Sequence, residues 1–387
     1  MSWRVQSEYS AHDHGIMIAD RVRVESYRRA LERAVKPGDV VVDIGTGTGL
    51  LALFACQFGA RKVYAIETEE IIELAREIAQ KNGYANQIEF IRDHSTNVML
   101  AEQADVIVSD VHGALPIFGR GLESLADARR RFLKEGGILI PQRDRLWVAA
   151  VELPDKDYGQ VAVWSDGRWG VDLSPGIRFG VDCPFSSAIE SAQLRTEPVC
   201  FASLEHAAAE SATVGGIVQL SAAHDGIANG YAIWFDAELT DGVWLTSAPG
   251  AAIAVYPRRF APWTHPVQLH AGDVITADLR FVCVNDDYVW QWNTSIRTAQ
   301  NELLEQFRQS SFNSMFITSE PLARRRPTFH PRLDEHGQAA LAILQLMDAK
   351  LTLQEIAQEV LHRYSGVFAD ASAALRAVAD LSEAYSH

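Results

Sequence analysis

Hydrophobic positions in the first 141 residues switch repeatedly between helical and strand spacing. Apolar and charged residues recur at helical intervals over 16–35, and short apolar runs of strand length follow, separated by further helical stretches. This alternation of strands and helices predicts a doubly wound parallel sheet. The predicted strands are 40–44, 63–67, 88–91, 105–109 and 138–140, and the predicted helices are 16–35, 50–58, 69–82 (capped by Thr68) and 122–133.

Beyond Pro141 the pattern changes to short alternating runs, such as 231–239 and 274–284, among many Gly, Pro and Trp residues. This pattern predicts an all-β unit, either a sandwich or a barrel, that extends to about Ile296. After a Pro-rich linker at 327–331 the pattern becomes helical again. The predicted tail helices are 341–347, a second opened by a capping box at Thr352, and 371–385, and the predicted domains are 1–141, 142–326 and 333–387.

A glycine-rich loop directly follows the first predicted strand. Gly45, Gly47 and Gly49 let the backbone turn sharply and approach a ligand, and Glu67 ends the next strand, where a carboxylate accepts hydrogen bonds from both ribose hydroxyls. A dinucleotide fingerprint needs Gly or Ala where this chain has Leu50. The spacing therefore favours a different nucleotide and resembles the first motif of class I S-adenosylmethionine methyltransferases.

Composition limits the class of protein and its partners. The chain has 387 residues, a net charge of -15 and 48% hydrophobic residues, which suits a globular protein of two or three compact units. Neither a signal peptide nor an apolar run of about 18 residues is seen, so we expect a cytoplasmic protein without a membrane partner. Its acidity disfavours nucleic acid, and four widely spaced cysteines suggest neither disulfides nor a metal site.

Several local motifs together resemble the protein arginine methyltransferases over about the first 300 residues. They are residues 14–23 with Tyr27, 41–67, 109–141, 169–174 (Trp-Gly-Val-Asp-Leu-Ser) and 234–236 (Trp-Phe-Asp). The resemblance implies S-adenosylmethionine as cofactor, with Arg23 holding its carboxylate and Asp43 orienting the glycine loop or receiving its ammonium group. It implies that Asp93 accepts from the adenine amino group, with a plain loop cap as the alternative. The cofactor-binding set is Arg23, Asp43, Gly45, Thr46, Gly47, Gly49, Glu67, Asp93, His94 and Ser109.

The chain departs from the family where a guanidinium would be clamped. The family places a glutamate directly after the serine and a second one ten residues after it, whereas this chain has Asp110 and Gly119 there. Glu123 lies one helical turn further and is the candidate replacement, with a solvated helix glutamate as the alternative. The family's Thr-His-Trp loop is altered to either 261–263 or 263–265, so arginine itself cannot be assumed as substrate.

The candidate catalytic residues are Asp110, Glu123, His112 and His265. Asp110 ends a central strand, where it holds or removes a proton of the methyl acceptor, and the two histidines have packing roles as alternatives. We predict transfer of a methyl group to a nitrogen, guanidino or similar, of a peptide or small natural product. The alternatives are an O-methyltransferase and a cofactor-binding scaffold without catalysis that recruits a peptide.

Two further features concern assembly. In the resembled family an arm in the β unit holds a dimer together, and residues 164–184 are its counterpart, which implies a homodimer. The tail from 333 resembles small winged-helix modules similar to PqqD, which hold leader peptides. Acidic residues outnumber basic ones after Arg332, so we expect a peptide-docking module or a structural cap rather than a DNA-binding one.

Overall fold

The computed structural model of the protein describes residues 9–110, 112–117, 119–209, 213–252, 255–284, 287–316, 319–348 and 350–386. Residues from Tyr9 to Met315 form one compact unit, and the chain from Phe316 onward belongs to another. The predicted boundary after residue 141 stays a prediction. No helix in the described ranges is both long and apolar enough to cross a membrane.

The first part of the larger unit is a five-stranded parallel sheet flanked by helices, which confirms the predicted doubly wound architecture. Its strand order is β3-β2-β1-β4-β5, so β1 and β4 lie in the middle and their carboxyl ends face the same edge. The elements are α1 (Ala11–Ala19), α2 (Arg21–Ala34), β1 (Val40–Ile44), α3 (Leu50–Gln57), β2 (Lys62–Glu67), α4 (Ile71–Lys81), β3 (Ile88–Arg92), β4 (Ala104–Ser109), α5 (Gly121–Phe132) and β5 (Leu133–Ile140).

Two details of these helices differ from the prediction. The single helix predicted over 16–35 is two helices, because Asp20 leaves helical geometry and its side chain caps α2 at the backbone N–H of Arg23. Thr68 does not cap α4, which begins only at Ile71 without a side-chain cap. The backbone N–H and the hydroxyl of Thr68 donate to the carboxylate of Glu67 instead. Thr68 is therefore bound to its neighbour rather than to the helix.

The second part of the larger unit consists of two antiparallel sheets, with no closed barrel among the described strands. The sheets share a core in which the Tyr231 hydroxyl bonds Thr294 and the Trp292 indole N–H donates to the carbonyl oxygen of Pro262, both across the sheets. The elements are β6 (Arg143–Val151), α6 (Asp155–Ala162), α7 (Ile177–Gly180), β7 (Phe185–Ser187), β8 (Val199–Glu205), β9 (Val214–Ser221), β10 (Gly226–Thr240), β11 (Val243–Thr246), β12 (Arg258–Leu269), β13 (Val274–Val284), β14 (Asp287–Arg297) and β15 (Leu303–Ser310).

The C-terminal unit is helical, as predicted. Its helices are α8 (Ser319–Arg324), α9 (Glu335–Met347), α10 (Leu353–Arg363) and α11 (Ala371–Tyr385). The last three share an apolar core, and Thr352 forms the predicted capping box with Glu355. Among the residues of this unit that the structure describes there is no strand, so the wing of a winged-helix module is not formed there.

Candidate active site

The loop between β1 and α3 needs glycine for both conformation and space. Gly45, Gly47 and Gly49 all have positive φ, at 71°, 52° and 79°. A Cβ atom on Gly47 would stand 3.1 Å from the imidazole of His14, and one on Gly49 would stand 3.2 Å from Ala75. The loop therefore forms a concave surface, which we call the glycine cradle, and side chains at these positions would occupy its space.

Asp43, at the carboxyl end of β1, supports this cradle. Its Oδ2 atom accepts hydrogen bonds from the Thr46 hydroxyl at 2.5 Å and from the backbone N–H of Ala52 at 3.0 Å. Its Oδ1 atom is buried without a partner among the described residues, and burial raises the pKa of this carboxyl to about 7. A buried acceptor that lacks a donor is costly unless a ligand supplies one, which fits an ammonium group bound here.

Glu67 closes β2 beside the same loop. Its Oε2 atom accepts from the backbone N–H of Gly47 at 2.9 Å, and Oε1 accepts from the N–H groups of Thr68 and Glu69. The Oε2 atom has this single donor among the described residues, so one of its two lone pairs remains for a ribose hydroxyl. The residues therefore fit the nucleoside and amino-acid ends of S-adenosylmethionine.

The remaining predicted cofactor residues make local contacts. Asp93 accepts from the backbone N–H of His94 and from the Asn97 side chain, which is the geometry of the alternative loop cap. His94 caps the short 3₁₀ turn at 95–97 through its side chain. The Ser109 hydroxyl donates to the Ile44 carbonyl and ties β4 to β1. Their roles toward a cofactor stay predictions.

Arg23 and Asp110 form a buried ion pair at the carboxyl end of β4. The Nε atom of Arg23 donates to Asp110 Oδ2, the Nη2 atom makes an ion-pair contact with the same oxygen, and Nη1 donates to the Met17 carbonyl. The Asp110 side chain is 3% exposed and that of Arg23 12%. Arg23 keeps further N–H groups on its terminal nitrogens, as a second, carboxylate ligand would require.

Asp110 also accepts hydrogen bonds from α2, from the loop before β12 and from its own loop. Its Oδ1 atom accepts from the Tyr27 hydroxyl at 3.0 Å, from the Tyr256 hydroxyl, and from His112 Nδ1 at 3.2 Å. Burial would raise the pKa of Asp110, but the Arg23 charge and these hydrogen bonds outweigh it and hold the pKa well below its usual range. Asp110 is therefore an anchored carboxylate and a weak base.

His112 bridges Asp110 to a second buried carboxylate that sequence reasoning missed. Its Nε2 atom lies 3.2 Å from Asp144 Oδ1, and the other oxygen of Asp144 accepts from His206 Nε2 at 2.6 Å. Asp144 lies on β6 and His206 directly follows β8. In the sequence Asp144 lies between two arginines at the start of a strand, which is typical of a solvated carboxylate. Only tertiary contacts identify Asp144 and Tyr256 as site residues.

Two predicted catalytic residues lie elsewhere. Glu123 lies in the first turn of α5, about half exposed and paired with Arg120, and nothing in the described residues brings it to Asp110. His265 lies within β12, half exposed and paired with Glu305. Both ranges proposed for the Thr-His-Trp loop are strand, because Trp263 fills the core between the sheets; Tyr256 contacts Asp110 instead.

No group of three or more metal-ligating side chains occurs in the ranges that the structure describes.

Three features together define a class I methyltransferase fold and site. They are the parallel sheet in this strand order, the glycine cradle after β1 and the carboxylate after β2. Residues 28–142 match the family model of the ribosomal protein L11 methyltransferase (PrmA).

Comparison with known proteins narrows this class. The chain is 31% identical over 287 residues to protein arginine N-methyltransferase 6 of Xenopus laevis, covering 70% of this chain and 84% of that protein. The chain therefore belongs to the protein arginine N-methyltransferase family. It is also 34% identical to the probable protein arginine N-methyltransferase 6 of Arabidopsis thaliana and 37% to the Danio rerio protein, but the matches span only 41% and 54% of those relatives.

Solved structures agree on the fold. A Trypanosoma brucei PRMT1 enzyme-prozyme heterotetrameric complex with AdoHcy matches with a TM-score of 0.70 at 23% identity, over 77% of this chain and 96% of that one. Arabidopsis thaliana protein arginine methyltransferase 10 matches with a TM-score of 0.69 at 22% identity, over 78% and 97%. At these identities the structures support the fold alone.

Proposed function

We propose that the protein transfers the methyl group of S-adenosylmethionine to a nitrogen atom of a peptide or small natural product. The observation that carries this proposal is the buried Arg23–Asp110 pair at the carboxyl end of β4, beside the glycine cradle after β1. Family membership supports methyl transfer, and the acidic helical tail supports a peptide substrate rather than nucleic acid.

Methyl transfer mainly requires that the acceptor atom is aligned with the methyl carbon and that water is excluded from the site. The bound cofactor supplies a methyl group made electrophilic by its sulfonium. The acceptor's lone pair forms the new bond to carbon while the carbon–sulfur bond breaks and leaves its electron pair on sulfur. Arg23 and Glu67 hold the two ends of the cofactor, and the donors around Asp110 fix the acceptor side.

The test is transfer of an isotope-labelled methyl group. The full chain is incubated with labelled S-adenosylmethionine and a peptide digest, and mass spectrometry follows S-adenosylhomocysteine and heavy-methyl peptides. We expect Asp110→Ala to abolish transfer and Asp225→Ala, which removes an exposed partner of His270, to leave it unchanged. Cofactor binding without formation of S-adenosylhomocysteine, on the peptide digest or on a small-molecule extract of the cell, would instead identify a scaffold.

An O-methyltransferase is a second candidate, favoured by the single carboxylate at the acceptor side. A guanidinium clamp needs two acceptors, and of the two positions where the resembled family has glutamates this chain keeps a carboxylate at Asp110 and has Gly119 at the other. The same experiment separates these outcomes, since a heavy methyl ester or ether fragments differently from a methylated nitrogen.

We also propose that the protein is a homodimer held by the arm at 164–184. The arm carries exposed apolar side chains at Trp169, Val171 and Leu173, which are 73%, 57% and 37% exposed. Exposed apolar patches of this kind mark interaction surfaces.

A further inference from the structure

Three buried ionisable side chains form a hydrogen-bonded series that ends on Asp110. His112 Nδ1 lies 3.2 Å from Asp110 Oδ1, and His112 Nε2 lies 3.2 Å from Asp144 Oδ1. The other oxygen of Asp144 lies 2.6 Å from His206 Nε2. Asp144 is fully buried, and both histidines are 4% exposed. We call His112, Asp144 and His206 the histidine–aspartate bridge.

The far end of this bridge is fixed by an antiparallel sheet. Asp144 lies on β6, which pairs with β8, and His206 directly follows β8. The backbone N–H of His206 donates to the Gln142 carbonyl at 3.0 Å, and its own carbonyl oxygen accepts from Arg129 Nη1 at 2.8 Å. Asp110, at the near end, directly follows β4 of the parallel sheet. The histidine–aspartate bridge therefore ties Asp110 to the second part of the larger unit.

The contacts of His112 require a hydrogen on both ring nitrogens. Ionised carboxylates only accept hydrogen bonds, and each ring nitrogen faces one carboxylate. Burial opposes the charged ring, but the Asp144 charge and the hydrogen bonds to both carboxylates raise the pKa of His112 to about 10. Burial would likewise raise the pKa of Asp144, but the His112 charge and the hydrogen bonds from both histidines hold it well below its usual range. At neutral pH His112 is therefore a cation that donates to both carboxylates.

The plane of the His112 ring is also held by its neighbours. Phe235 of β10 stacks on the ring with centroids 5.1 Å apart and planes 6° apart, and Tyr256 meets it edge-on at 5.9 Å. These contacts keep one ring nitrogen pointed at each carboxylate. The charged and titratable groups that face His112, directly or through the two carboxylates, are Asp110, Asp144, Tyr27, Tyr256, Arg23 and His206.

We infer that Asp144 is a positioning residue for methyl transfer, acting through His112 to hold Asp110 in the orientation in which it meets the methyl acceptor. His206 supports this role by binding the second oxygen of Asp144. The inference rests on the proposed function, from which it takes the role of Asp110.

The orientation of Asp110 depends on its donors, because the terminal torsion of an aspartate is broad and selects no single orientation by itself. Arg23 binds the Oδ2 atom, and His112 is the charged donor at Oδ1, where the hydroxyls of Tyr27 and Tyr256 are neutral. A charge-assisted hydrogen bond is about twice as strong as a neutral one. Without the Asp144 charge, His112 would lose its second hydrogen at neutral pH and Asp110 would lose this donor.

The test is the pH dependence of transfer by the Asp144→Asn protein. Asparagine keeps the shape of the side chain but removes its charge, so the pKa of His112 should fall toward the ordinary value of about 6.5. The formation of S-adenosylhomocysteine by the full chain is followed with the peptide digest and the small-molecule extract, from about pH 5 to about pH 9. Dividing the variant's rate by that of the unmodified protein removes any titration of the acceptor. We expect this ratio to fall by about tenfold from the lowest to the highest pH, because a charge-assisted hydrogen bond is lost.

A purely structural role for Asp144 gives a different result. A disturbed fold lowers the ratio equally at every pH and weakens cofactor binding, so a ratio that does not depend on pH overturns the inference. Calorimetry with S-adenosylhomocysteine should show an unchanged affinity in the Asp144→Asn protein. Asp273→Asn, at a buried aspartate that accepts from the backbone N–H of His270, is the matched control and should keep a ratio that is independent of pH.

The proton on His112 is followed directly by NMR of full-length protein with ¹⁵N-labelled histidine. In the unmodified protein both His112 nitrogens should keep the shifts of a protonated ring up to about pH 9, because their partners are anionic. In the Asp144→Asn protein the ring should titrate at lower pH, and the fall in transfer is expected over the same pH range as this titration. Titration of His112 near about 6.5 in the unmodified protein would overturn the inference.

A second variant carries the test if the Asp144→Asn protein does not fold. His112→Gln leaves Asp144 and His206 paired but removes the cation, and we expect transfer about tenfold slower with unchanged affinity for S-adenosylhomocysteine. An unchanged rate in this variant overturns the inference and leaves the proposed function standing. If the unmodified protein forms no S-adenosylhomocysteine on either preparation, the proposed function fails and the inference fails with it.

Discussion

At the residue scale, the Arg23 side chain makes several distinct contacts at the site. It pairs with Asp110 through one edge, donates to the Met17 carbonyl, and keeps N–H groups for a ligand carboxylate. Only a planar guanidinium offers donors in this arrangement, so lysine cannot replace it.

We therefore predict that Arg23→Lys weakens binding of S-adenosylhomocysteine by about tenfold to a hundredfold, the equivalent of losing charge-assisted hydrogen bonds. Isothermal calorimetry measures the affinity. Arg28→Lys, at an exposed arginine of the same helix that pairs with Glu25, is the control and should change the affinity little. Equal affinities for both variants would show that Arg23 does not hold the cofactor.

Asp43 makes stability depend on pH. Burial raises its pKa from 3.8 to about 7 in the folded protein, so the folded state binds more protons than the unfolded state between these values. Its contribution to stability is full below 3.8 and is lost as the pH rises through about 7.

Compared with Asp43→Asn, the unmodified protein should lose unfolding free energy from about pH 5 to about pH 7, by at most about 1.4 kcal/mol per pH unit. Denaturant titrations of both proteins across this range measure the difference, which should level off at higher pH. A constant difference across the range would mean that Asp43 titrates at its ordinary pKa.

At the scale of elements, the break between α1 and α2 positions the site. Asp20 caps α2 at the backbone N–H of Arg23, and its other oxygen accepts from the backbone N–H of Val255 at 3.2 Å. One carboxylate thus joins the helix that carries Arg23 and Tyr27 to the loop that carries Tyr256.

Removing this carboxylate should disturb both partners. We predict that Asp20→Ala lowers the unfolding free energy by about 1–2 kcal/mol, because the helix loses its cap. Cofactor affinity should also fall, since α2 carries Arg23. Asp20→Asn keeps a capping oxygen and is expected to lie close to the unmodified protein in chemical denaturation; a loss as large as that of alanine would rule out capping as the cause.

At the scale of the whole molecule, the arm at 164–184 carries a large exposed aromatic side chain. Trp169 is 73% exposed, an unusual position for a large aromatic side chain in an isolated chain. Buried tryptophans dominate the energy of many interfaces.

We predict that Trp169→Glu converts a dimer into a monomer, which light scattering coupled to size-exclusion chromatography measures as a molar mass. Ile217→Glu, at an exposed position on β9 outside the arm, is the control and should leave the mass unchanged. A monomer before any substitution would refute the proposed homodimer.

The sequence by itself determined the features that depend on local pattern. Apolar runs bounded by glycine identify β1 and β2, and three glycines at alternate positions require a sharp loop with positive φ, so the parallel sheet and its cradle follow from periodicity and backbone sterics. The roles predicted for Arg23 and Asp110 follow from the resemblance of the motifs that contain them to the arginine methyltransferases.

The tertiary structure alone decided which polar groups meet. Asp144, His206 and Tyr256 come from distant parts of the chain, and no spacing along the sequence brings them to Asp110 and His112. The charge balance of the acceptor side depends on these contacts, because hydrogen bonds and charge pairs are stronger in a buried site of low dielectric constant. Glu123 and His265, which the sequence offered as candidates with a solvated or packing role as the alternative, lie half exposed with partners of their own.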